Sequence, residues 1–141
     1  LIQNELIDIL KKTKTIAVIG LSQDPQKHSF KVGLYLKHHG YRIIPVNPLT
    51  SEILGEKSYK NLLNIPEQLQ KTIDIVDIFR KPEDVPPIIE QAIQIKIKFG
   101  KPFVVWMQPG TVNDQATEAA RKAGLIVVTD KCLMVELHRL Y

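Results

Sequence analysis

The chain has 141 residues, 44% hydrophobic and 24% charged, a length that suits one domain spanning residues 1–141 and needs no disulfide or metal to hold its core. Its single cysteine, Cys132, excludes an internal disulfide framework and a four-thiolate zinc site, and no apolar run approaches the ~20 residues that cross a bilayer. The net charge of +4 favours a phosphate-bearing partner, but the basic residues are too scattered to form a nucleic-acid stripe.

The N-terminal stretch, Leu1-Ile2-Gln3-Asn4-Glu5-Leu6-Ile7, lacks the basic lead and small-residue cleavage site of a signal peptide. A cytoplasmic protein with no membrane segment is therefore expected. Leu6, Ile7 and Leu10 fall at helical spacing and predict an opening helix from Asn4 to Lys11. Thr15-Ile16-Ala17-Val18-Ile19 is apolar, rich in β-branched residues and closed by Gly20, the pattern of a strand buried on both faces. A helix is predicted from Ser29 to His39, with Gly40 just past its end. Residues 41–46 form the second predicted strand, in which Pro45 must avoid a ladder-donor position. Leu49 to Leu69 reads as a loop with short helical turns, and residues 74–79 as the third strand. Pro86 and Pro87 suit the first turn of a helix that runs to Lys98, before Gly100. Phe103–Met107 is the fourth strand, Val112–Ala123 a helix, Leu125–Val128 the fifth strand, and Lys131–Tyr141 a short final helix.

Strands separated by helices demand right-handed parallel crossovers. The expected fold is α/β: a single open, doubly wound parallel sheet in the order 3-2-1-4-5, with helices on both faces. Ligands of such sheets bind beyond the carboxyl ends of the strands, where strand order reverses. That rule selects the loops 20–28, 47–51, 79–83, 107–111 and 129–132.

The first of these carries Gly20 but has Ser22 and Pro25 where a dinucleotide fingerprint places further glycines. The Ser22 hydroxyl suits either a phosphate or a local turn. Lys27, His28 and Lys31 lie near a helix start, where cations and free amides together suit phosphate; a solvated basic face is the alternative. The second strand ends in Asn47-Pro48, without the acidic residue that binds a ribose diol in NAD proteins. Phe79, Arg80 and Lys81 place an aromatic ring and two cations at the sheet mouth, suited to a base and a phosphate; a core ring beside exposed cations is the alternative, and Gln108 adds an amide. Cys132 follows the fifth strand, either as a packing residue or as a thiol near the mouth. There is no P-loop and no H-E-x-x-H; the adjacent pair His38-His39 diverges on a helix, so no metal ligand set is read. No Ser/His/Asp arrangement announces itself.

The segments Ile16–Ser22, Gly40–Pro48, Ile53-Leu54-Gly55-Glu56, Val76–Arg80, Val105–Gly110 and Asp130–Met134 together resemble the small coenzyme A (CoA)-binding proteins, which are similar to the CoA-binding domain of the succinyl-CoA synthetase alpha subunit. The resemblance covers about residues 13 to 136. It implies a Rossmann-like fold that binds CoA or acyl-CoA across the strand ends, with Gly20, Ser22, Asn47, Pro48, Phe79, Arg80 and Gln108 at matching positions. Charge and position add Lys27 and Lys31, and Cys132 joins them as a residue near the mouth. The family places alanine after the first glycine, where this chain has Leu21. The synthetase's phosphorylated histidine belongs to a second domain that these residues do not include, so no ligase activity and no catalytic residue is expected. The expectation is a non-catalytic binding or regulatory module, with a protein partner or homo-oligomer left open. Its rivals are a nucleotide- or CoA-dependent transferase or reductase subunit working with a partner, and a structural subunit with a vestigial crevice.

Overall fold

A computed structural model describes residues 3–140. Leu1, Ile2 and Tyr141, which the sequence reading includes in the N-terminal stretch and the final helix, lie outside the described residues. Helix α1 (Gln3–Lys12) leads into β1 (Thr15–Ile19), α2 (His28–His38) and β2 (Arg42–Val46). A small hairpin follows, β3 (Glu52–Ile53) and β4 (Glu56–Lys57), then a 3₁₀ turn (Leu62–Asn64) and one turn of helix, α3 (Glu67–Gln70). The chain continues through β5 (Ile75–Ile78), α4 (Val85–Phe99), β6 (Val104–Met107), α5 (Asp114–Lys122), β7 (Ile126–Thr129) and α6 (Leu133–Leu140).

Five strands form one parallel sheet. β1, β5 and β6 are buried at every residue, which is why their sequences are continuous apolar runs rather than alternating ones. Successive side chains point to opposite faces. One face presents Ala17, Val76 and Val105 to Ile89 and Ala92 of α4 and Ala116 and Ala120 of α5. The other presents Val18, Ile75 and Trp106 to Leu6 of α1, Leu36 of α2 and Leu137 of α6. The result is the expected Rossmann-like α/β/α layering, with helices on both faces.

The strand order is β2-β1-β5-β6-β7. In terms of the five expected strands this is 2-1-3-4-5, and it corrects the expectation of 3-2-1-4-5. Pro45 supplies the physical reason. The Val46 carbonyl accepts from Gly20 N–H on the β1 side, whereas the Pro45 carbonyl accepts from Tyr59 N–H on the opposite, outer side. A residue's N and O point the same way in a ladder, so the N–H that proline lacks is missing from the outer edge. In the order 3-2-1-4-5 that edge would need to donate to a neighbouring strand. β2 is instead an edge strand, bordered there, among the described residues, by the isolated bridge Val46–Tyr59. β5 pairs with the free side of β1, in register from Ile16–Ile75 to Ile19–Ile78.

The hairpin within residues 49–69 corrects the expectation of a loop with helical turns alone. Its two-residue turn, Leu54-Gly55, has both residues at positive φ (54° and 77°), the conformation a tight hairpin needs.

Candidate functional site

The order reversal puts the switch point between the carboxyl ends of β1 and β5. Gly20 ends β1 there with φ +82°, and a Cβ on it would lie 2.2 Å from the Phe79 carbonyl oxygen. Only glycine allows the β1 and β5 ends to approach this closely. Leu21 then turns inward, fully buried, against Gly33 of α2, whose own Cβ would lie 2.8 Å from a Leu21 methyl. The absence of a side chain at Gly33 thus makes room for Leu21.

On the α4 side of this point lies a cleft of about 260 Å³. Ile19, Val46, Leu62 and Ile88 give it apolar walls, while Lys60, Arg80, Glu83 and Asp84 bring charge to it. Gly20 and Pro48 line it as well. Arg80 pairs with Asp84 at 3.6 Å, both side chains about two-fifths exposed, so water screens the pair and it holds Arg80 weakly. Gln91 accepts a hydrogen bond from the Leu62 amide at 3.1 Å and fixes that wall.

On the other face of the same edge, His28, Phe79 and Cys132 meet. The His28 and Phe79 rings are edge-on with centroids 6.0 Å apart, and Cys132 Sγ is 3.5 Å from His28 Nε2. Asp77 and Gln108 project from this face, 0% and 1% exposed. Gln108 Nε2 donates to Asp77 Oδ1 at 2.8 Å, and the remaining oxygens, Asp77 Oδ2 and Gln108 Oε1, have no partner among the described residues. Burial pushes the Asp77 carboxyl up to about 8, against a smaller downward pull from the Gln108 hydrogen bond. At neutral pH Asp77 is therefore mostly a neutral acid.

The remaining expected residues fall around these two clusters. Ser22 accepts from the Asp24 amide and donates its own amide to Ser29 Oγ, both at 3.0 Å, so its oxygen serves a local turn while its O–H stays a donor. Asn47 is used at both ends: Nδ2 donates to the Leu21 carbonyl and Oδ1 accepts from the Leu49 amide, each at 2.9 Å. It clips the first loop to the second. Lys27 is the N-cap residue of α2 and leaves that helix without a side-chain cap. Lys31 is an exposed residue of α2 that lines neither cluster.

Sequence reasoning missed Asp77, although an acid inside the apolar run Ile75-Val76-Asp77-Ile78 was the available signal. It also missed Lys60, Asn61 and Gln91, since no periodic pattern points to an irregular segment and a helix flank.

Fold and crevice together define a class: a Rossmann-like α/β unit whose strand order reverses at β1 and β5, with a cleft open at that point. Residues 14–138 match the model of the CoA binding domain family, and the chain belongs to that family. It is 36% identical over 131 residues to the uncharacterized protein YneT of Bacillus subtilis, covering 93% of this chain and 90% of that one. A hypothetical protein from Pyrococcus horikoshii has a solved structure that superposes with a TM-score of 0.89 at 39% identity, covering 99% of this chain and 92% of the other. The acetate–CoA ligase [ADP-forming] II of Archaeoglobus fulgidus is 34% identical over 115 residues, which is 79% of this chain but 17% of the ligase. Among the described residues, no helix is long and apolar enough to cross a membrane.

Proposed function

We propose that this chain is a one-domain CoA-binding module, holding CoA or acyl-CoA across the carboxyl ends of β1, β2 and β5 without catalytic residues of its own. The cleft beside Gly20 carries this reading. Its apolar walls suit an adenine ring, and the Glu83 and Asp84 carboxylates are acceptors for an exocyclic amine. Lys60 and Arg80 supply charge for phosphates, and the uncapped first turn of α2 offers backbone amides beside Ser22 and Lys27. Phe79, Gln108 and Cys132 lie beyond Gly20 on the other face, where the pantetheine arm would run. Membership of the CoA binding domain family supports the same ligand. A cytoplasmic setting accords with the single unpaired cysteine.

The partial match to the acetate–CoA ligase favours a second reading, in which the module serves an enzyme assembled with a partner. Calorimetric titration of the purified chain with CoA, NAD and NADP tests the first. CoA binds most tightly if the reading is right, because Asn47 spends both ends of its side chain on the backbone and offers no carboxylate to a ribose diol. Equal or tighter binding of NAD overturns it.

A further inference from the structure

Cys132 lies in the turn between β7 and α6, half-buried and unpaired. It is joined there by His28 from the start of α2, with Nε2 3.5 Å from its Sγ, and by Phe79 from the end of β5, whose ring meets His28. Three separate segments thus bring a thiol, an imidazole and an aromatic ring to one spot on the strand mouth.

A second observation points to a ligand at that spot. Asp77 precedes Phe79 by two residues and so shares its face of the sheet. Gln108 shares the face of Trp106, whose indole N–H donates at 2.7 Å to the carbonyl of Lys131, the residue before Cys132. Asp77 pairs in register with Trp106, so the Asp77–Gln108 pair and the indole that holds the Cys132 turn lie on one face of the sheet. Asp77 Oδ2 and Gln108 Oε1 are buried on that face and have no hydrogen-bond partner among the described residues. Native proteins seldom leave such buried atoms without a partner. A ligand arm that carries amides and ends in sulfur offers both the hydrogen bonds this pair lacks and a reactant for the thiol.

We propose that Cys132 and His28 form a thiol–disulfide exchange site, at which the chain captures the CoA half of a CoA-bearing disulfide; this rests on the CoA reading above. His28 Nε2 takes the proton from Cys132 Sγ. The sulfur then attacks the CoA-side sulfur of the disulfide, one S–S bond forming as the other breaks. The departing thiolate takes the proton from the imidazolium and leaves as a free thiol. The products are a Cys132–CoA mixed disulfide and one equivalent of thiol, and no further oxidant is consumed. Excess thiol runs the same steps in reverse.

The test exposes the reduced chain to CoA disulfide and, in parallel, to glutathione disulfide at equal concentration, following adducts by intact mass. Calorimetry with reduced CoA runs alongside. The expected result is one CoA adduct per chain, removed by dithiothreitol, absent in Cys132→Ser, and formed at least about tenfold faster than the glutathione adduct. His28→Gln, checked for folding by circular dichroism, slows the CoA adduct by at least about tenfold. If reduced CoA binds but the two disulfides react at the same rate, or His28→Gln reacts as fast as the parent, the exchange site is overturned while the CoA reading stands. If reduced CoA does not bind, the CoA reading itself has failed.

Discussion

Replacing Asp77 with asparagine isolates the effect of burying a carboxyl in the sheet. Asp77 is 0% exposed, and desolvation raises its pKa from 3.8 to about 8 in the folded chain. Between those values the native state holds a proton that the unfolded state has released. Stability is greatest below the unfolded value and falls as pH rises, until the folded value is passed. The slope for one group is roughly 1.4 kcal/mol per pH unit. Asparagine keeps an oxygen to accept from Gln108 Nε2 and resembles the neutral acid, but it does not titrate. Urea unfolding of both proteins at pH 5, 6, 7 and 8 should therefore show Asp77→Asn gaining on the parent by about 4 kcal/mol across the series. A stability difference that stays constant from pH 5 to pH 8 would refute the reasoning and mean that Asp77 is already ionised in the folded chain.

Arg80→Ala should weaken CoA binding by about 1.5–3 kcal/mol, the worth of a charge-assisted contact to phosphate, as read by calorimetry. Its melting temperature should barely change, since the Arg80–Asp84 pair it removes is exposed and worth less than about 1 kcal/mol; unchanged affinity in the folded variant would remove Arg80 from the site. Gly20→Ala places a Cβ 2.2 Å from the Phe79 carbonyl at a φ of +82°, so the urea midpoint should fall by the equivalent of at least about 2 kcal/mol. A midpoint equal to the parent's would show that the β1 and β5 ends can separate at no cost.

Most of the elements were legible because each carries a local signal. Buried parallel strands such as Val104–Met107 are short runs of apolar residues, and α4 ends at Gly100 with a left-handed φ of 79°. Strand order is not local in this way. The alternation of strands and helices fits both common doubly wound orders equally, and only the side on which Pro45 lacks its donor separates them. The β3–β4 hairpin escaped because two-residue strands are too short to show a period. At the mouth, the strand-end rule selects the loops and the family resemblance names Gly20, Pro48 and Arg80 within them; these three line one cleft. The hydrogen bonds that occupy Ser22 and Asn47 depend on the fold of the loops around them, and residue type alone does not reveal them. Asp77 was passed over because a strand pattern registers an acid as one mismatch, whereas its meaning comes from complete burial.

The Asn47 clip has a consequence for how quickly a ligand can be taken up. By tying the Leu21 carbonyl to the Leu49 amide, one side chain joins the loops after β1 and β2 into a single rim, and the Ser22–Ser29 bond fastens that rim to α2. A rim already braced has little conformational freedom left to surrender when a ligand arrives. Uptake should then be governed by diffusional encounter rather than by ordering of the loops.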